Sequence, residues 1–116
     1  MTTLDRFLAW TLLAFGCLHT AVGVILLSRV LKLDSAWFFS GGLAIILGAF
    51  LNLLRAYRPH DRAVARTCVL ANLLLLTLAI VLAWILRHEL KGNPQAAVFV
   101  LLVVTQLLIS VRQWSR

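Results

Sequence analysis

The stretch "FLAWTLLAFGCLHTAVGVILLS", residues 7 to 28, holds 22 residues without one Asp, Glu, Lys or Arg. A helix rises about 1.5 Å per residue, so this run covers roughly 30 Å, the thickness of a bilayer's hydrocarbon core. Charge-free runs follow between Asp34 and Arg55, Arg66 and Arg87, and Lys91 and Arg112, each of 20 residues. Four stretches of spanning length in 116 residues imply an all-α integral membrane protein. Charged residues make up 13% of the chain and hydrophobic ones 62%. A soluble domain carries about 25% charged residues and could not hide this much apolar surface.

The gaps set helices at about 5–28, 36–55, 64–86 and 95–112. The links between them are short: "RVLKLD", "AYRPHDR" and "RHELKGNP", with Pro59, Gly92 and Pro94 as stop and start signals. Short links make successive helices antiparallel neighbours. The expected architecture is one transmembrane domain over 1–116, an up-down four-helix bundle. "LAFGC" faintly resembles a lipoprotein signal-peptidase site, but Ala14 stands where that pattern wants leucine, and the apolar run continues to Leu27. Helix 1 is therefore read as a permanent span.

Lys and Arg set the orientation. The side with the N-terminus, the second loop and the C-terminus carries Arg6, Arg55, Arg58, Arg62, Arg66, Arg112 and Arg116; the other side carries Arg29, Lys32, Arg87 and Lys91. The positive-inside rule then expects cytoplasmic termini in a bacterial inner membrane. The net charge of +7 is topological on this reading. No patterned basic module points to nucleic acid. Trp10, Tyr57 and Trp114 at one interface, with Trp37 and Trp84 at the other, are expected to anchor the helix ends.

Projected at 100° per residue, each helix shows one stripe of small and polar residues. Helix 1 places Gly16, His19, Thr20 and Gly23 together. Helix 2 aligns Trp37, Gly41, Ala44, Gly48, Asn52 and Arg55. Helix 3 aligns Cys68, Asn72, Ala79 and Ala83. Helix 4 aligns Gln95, Phe99, Gln106, Ser110 and Gln113. In lipid such stripes mark helix–helix interfaces. Gly16, Gly23, Gly41 and Gly48 are thus the expected packing glycines. His19, Thr20, Asn52, Asn72 and Gln106 are the expected polar interior or ligand-facing residues. Depth reckoning pairs Asn52 with Asn72, and His19 with Gln106 or Thr20. Cys17 and Cys68 read as small buried apolar residues.

His19 invites sharper readings, since an ionisable residue in a span is a functional hypothesis by default. Haem ligation needs a second axial ligand, and His60 and His88 lie in loops on opposite sides. A metal site fails because Cys17 points about 160° away from the histidine. A proton relay lacks a carboxylate within the spans. The expectation is a histidine hydrogen-bonded inside the bundle, with no cofactor and no metal.

Four short helices in just over a hundred residues resemble the small multidrug-resistance transporters in architecture. That resemblance implies a first-helix glutamate coupling drug to proton, and helix 1 has none, leaving His19 in its place. Size and topology also resemble small immunity proteins. Enzyme motifs such as GxSxG, HExxH or a phosphate loop are absent. The sequence therefore suggests a non-enzymatic inner-membrane packing partner or accessory subunit. Its partners would be the bilayer and a homo-oligomer or larger membrane complex, with a lipid-like molecule between helices. The alternatives are a small dimeric transporter around His19 and a haem or quinone subunit.

Overall fold

A computed structural model describes residues 2–85 and 94–116. It holds four α-helices: α1 (Thr2–Arg29), α2 (Leu33–Tyr57), α3 (Arg62–Ile85) and α4 (Pro94–Trp114). The last residue assigned to helix 3, Leu86, and the stretch that follows, with Arg87, His88, Lys91 and Gly92, lie outside the described residues.

Each helix runs past its charge-free gap at one end or both, by up to five residues. Asp5, Arg29, Asp34, Arg55 and Arg112 all sit inside helical turns. A charge marks the edge of the apolar layer, and the hydrogen-bonded ladder continues past it. Local chemistry then ends the helices. Arg58 N–H bonds back to the Arg55 carbonyl, and Pro59 follows. Asp61 caps α3 by accepting from Val64 N–H at 3.1 Å. Pro94 opens α4, where a missing N–H costs nothing.

The helices form a ring in chain order. α1 packs most closely on α2 and α3 on α4; α2–α3 is looser, and α1–α4 is the loosest neighbouring pair. This is an up-down bundle, 47 Å long. All four helices are long and apolar enough to cross a membrane, so the protein reads as multi-pass. Trp10, Trp37, Tyr57, Trp84 and Trp114 all point outward.

The closest approach runs along α1 and α2. A Cβ on Gly23 would lie 2.8 Å from the Phe39 Cα, and one on Gly42 would lie 2.8 Å from the Thr20 backbone nitrogen. Gly16 lies against Ile45 and Ile46, and Gly48 against Leu75 of α3. Gly41, expected on the packing stripe, is not at the tight crossing: a Cβ there would meet only the His19 Nε2, at 3.7 Å. Gly42 takes that place. Trp37, on the same projected stripe, is 69% exposed. A projection at constant 100° finds the stripe but not which of two adjacent glycines the neighbouring backbone meets. Cys17, read as buried, is exposed, whereas Cys68 is buried.

Candidate functional site

The bundle interior divides in two along its length. At the end where α1 and α3 begin and α2 and α4 finish, hereafter the polar end, Arg55 is fully buried. α2 carries it one turn beyond Asn52, on the same face. Its guanidinium takes both oxygens of Asp5, with Nη1 2.9 Å from Oδ2 and Nη2 on Oδ1. The same nitrogens donate to Gln113 Oε1 at 3.1 Å and Gln106 Oε1 at 2.8 Å. A planar fork with five donors suits this arrangement, and a lysine could not reproduce it.

The network continues across the bundle. Gln106 offers its backbone carbonyl to the Ser110 hydroxyl at 2.7 Å. Ser110 Oγ accepts from Asn72 Nδ2 at 3.2 Å. Asn72 and Asn52 exchange two amide bonds at 2.9 and 3.0 Å. Asn52 also donates to the Gly48 carbonyl. Asp5, Asn52, Arg55, Asn72, Gln106 and Ser110 are all buried, and they draw on all four helices. Cys68 donates to the Leu51 carbonyl at 3.1 Å and ties α3 to α2 beside them. Among the described residues, two buried donors, Arg55 Nε and Gln106 Nε2, have no hydrogen-bond partner.

The rim of this end is also pinned. Arg6 lies over the Tyr57 ring at 4.6 Å, and Arg66 over Trp114 at 5.6 Å. Arg62 donates to the Arg116 carbonyl and Gln113 to the Arg58 carbonyl, which fastens the α2–α3 link to the end of α4. With Arg55, three further cations counted for topology, Arg6, Arg62 and Arg66, therefore also act as ties.

His19 is elsewhere. It stacks on Phe38 with ring centroids 3.9 Å apart, next to Phe15, which in turn stacks on Phe99. The imidazole is half-buried and reaches the backbone of Phe38. The expected His19–Gln106 pair does not form. The Phe15–Phe99 stack sets the register of α1 against α4. Gln106 lies seven residues from Phe99 toward the polar end, and His19 one turn from Phe15 away from it. At 1.5 Å per residue they are about 16 Å apart. Centring each helix on its own charge-free gap had put them much closer. Thr20, the other expected partner, donates to the Gly16 carbonyl instead.

Of the expected polar residues, Asn52, Asn72 and Gln106 come together, while His19 and Thr20 belong to the α1–α2 crossing. Arg55, Ser110 and Gln113, which the projection placed on the inward stripes without counting them in the polar set, join the first three, and so does Asp5, which lay on no stripe. A signal for Asp5 existed: residues 5, 9, 12 and 16 fall on one helical face, and all four are buried. Reading Asp5 as a helix-end charge hid it. Among the described residues, no group of three or more His, Cys, Asp or Glu could hold a metal.

Fold and interior together define a multi-pass α-helical bundle with an ion pair sealed into one end. Comparison with protein-family models, with curated proteins and with solved structures finds no match.

Proposed function

We propose that this is a non-enzymatic protein of a bacterial inner membrane, with both termini cytoplasmic, that works by helix contact: an accessory subunit of a membrane complex or a self-associating bundle. The observation that carries this reading is the half-exposed His19 on the Phe38 stack. Ionisable residues in spans face protein or water rather than lipid. An imidazole left partly open on the α1–α2 face is suited to a further helix. Cys17, two residues away, is also exposed. A transporter around His19 would want Asn52, Asn72 and Gln106 to share its cavity. Those three are instead bonded to one another or to Arg55, which favours the contact reading.

The test uses the full chain in its native membrane. Mild oxidation should give a dimer linked through Cys17 if a second copy packs there, and Cys17→Ser should abolish it. Native mass spectrometry after gentle extraction should show a mass above that of one chain in either form of the proposal. A single-chain mass together with no cross-link would overturn it. Proton flux in liposomes that vanished in His19→Gln would favour the transporter instead.

A further inference from the structure

The loosest neighbouring pair, α1 and α4, leaves a groove of about 260 Å³ lined by Leu4, Asp5, Thr105, Leu108, Ile109 and Arg112. Its walls are apolar: Leu4 is 61% and Leu108 64% exposed. The Thr105 hydroxyl is spent on the Leu101 carbonyl. From Thr105 to Arg112 the groove runs seven residues, about 10 Å, ending at the level of the exposed Trp114 ring. It opens sideways between two spans, so its occupant comes from the bilayer.

Two charges of opposite sign complete it. Arg112 is exposed and has no ion-pair partner among the described residues. Asp5 keeps 11% of its side chain exposed while both its oxygens bond Arg55. An ionised carboxylate accepts about four hydrogen bonds, so two of its positions remain. An apolar trough with a cation at its headgroup end and acceptor capacity at its floor complements an amphiphile carrying a phosphate, a primary ammonium and an acyl chain.

We infer that the α1–α4 groove is a seat for a phospholipid with a primary-amine headgroup. The phosphate lies on Arg112, the ammonium donates to Asp5, and the start of one acyl chain lies against Leu4, Leu108 and Ile109. The inference needs only membrane embedding and goes beyond the contact reading. One measurement separates the two, because protein mass reports association and adduct mass reports lipid.

The experiment is native mass spectrometry of the full chain exchanged into nanodiscs containing equal parts of phosphatidylethanolamine, phosphatidylcholine and phosphatidylglycerol with identical chains. The retained adduct should be phosphatidylethanolamine by about tenfold over phosphatidylcholine, whose headgroup has no N–H to give Asp5. Phosphatidylglycerol, with a phosphate and no ammonium, should fall between. Arg112→Gln should weaken retention of all three. Leu108→Trp, at a lipid-facing position, should fill the groove and remove the adduct without disturbing the buried core. Equal retention of the three lipids, preference for phosphatidylglycerol, or an adduct undiminished in Leu108→Trp would each overturn the proposal. Asp5→Asn is unsuitable as the main test, because Asp5 also holds Arg55.

Discussion

The polar end and the far half of the bundle are built from the same four helices by different means. Toward the polar end, a chain of hydrogen bonds from Asp5 to the Gly48 carbonyl passes through every helix. In the far half, the described residues 17–29 and 33–42 bury only Gly23 and Gly42, and those at 80–84 and 94–98 bury none. What holds α1 to α2 there is backbone proximity at Gly23 and Gly42 and the His19–Phe38 stack. Within lipid there is no hydrophobic force to press helices together, so packing and hydrogen bonds must do it. One end uses directed polar bonds, which specify a register. The other uses close approach of small residues, which specifies a distance. The first ties all four helices together and opens only at the α1–α4 groove, and the second leaves its α1–α2 face open to a neighbour.

The sharpest way to break this contrast is Arg55→Met. It leaves Asp5 buried without its counter-charge, and losing one partner of a buried pair costs about 3–5 kcal/mol. Denaturant unfolding in detergent micelles should show that loss. The double change Asp5→Leu with Arg55→Met should recover most of it, because an apolar replacement of the whole pair is often neutral. If Arg55→Met cost less than a far-half substitution, the polar end would not be the better-specified region.

Next in size come the adjacent glycines. Gly42→Ala drives a methyl into the Thr20 backbone and should cost about 1–3 kcal/mol. Gly41→Ala makes only an ordinary van der Waals contact, with the His19 Nε2 at 3.7 Å, and gains helix propensity, so it should be neutral or stabilising by up to about 1 kcal/mol. Thermal unfolding of the two variants side by side checks this; similar melting temperatures would remove the close crossing as an explanation.

Asn72→Leu removes the bonds to Asn52 and Ser110 and should cost about 0.6–2 kcal/mol, the range for polar contacts between membrane helices. The same unfolding assay reads it, and a loss as large as that of Arg55→Met would mean that the amide pair, not the ion pair, is the hub. His19→Phe preserves a ring against Phe38 and should change stability least, by under about 1 kcal/mol. A larger loss in detergent would move His19 into the intrachain core and weaken the case for an external partner.

The amide pair was legible because Asn52 and Asn72 both lie on inward stripes, in the halves of α2 and α3 that one short link joins. The ion pair was not. Asp5 and Arg55 are 50 residues apart, and each has an ordinary explanation by itself, as a helix-end acid and a topological cation. Arg55 lies on the inward stripe of helix 2 and Asp5 shares a face with Ala9, Leu12 and Gly16, but nothing in either local pattern says that the two side chains meet. The His19–Gln106 expectation failed for a related reason: helix depth was reckoned from charges, while register is set by contacts such as Phe15 on Phe99.

Charge spacing and apolar length, read along the chain, suffice for the class, the number of helices and their up-down order, because the bilayer imposes one span length on every helix. Stripes of small and polar residues give the inward face in the middle of the helices but not at every end, where Trp37 and Gln95 turn outward and Asp5 inward. The tertiary structure alone decided that α1 and α4 part enough to leave a groove, that Gly42 rather than Gly41 takes the close contact, and that Asp5 and Arg55 meet. These depend on axial shifts and rotations between helices of a few ångströms, and a one-dimensional pattern that repeats every 3.6 residues is nearly unchanged by such shifts.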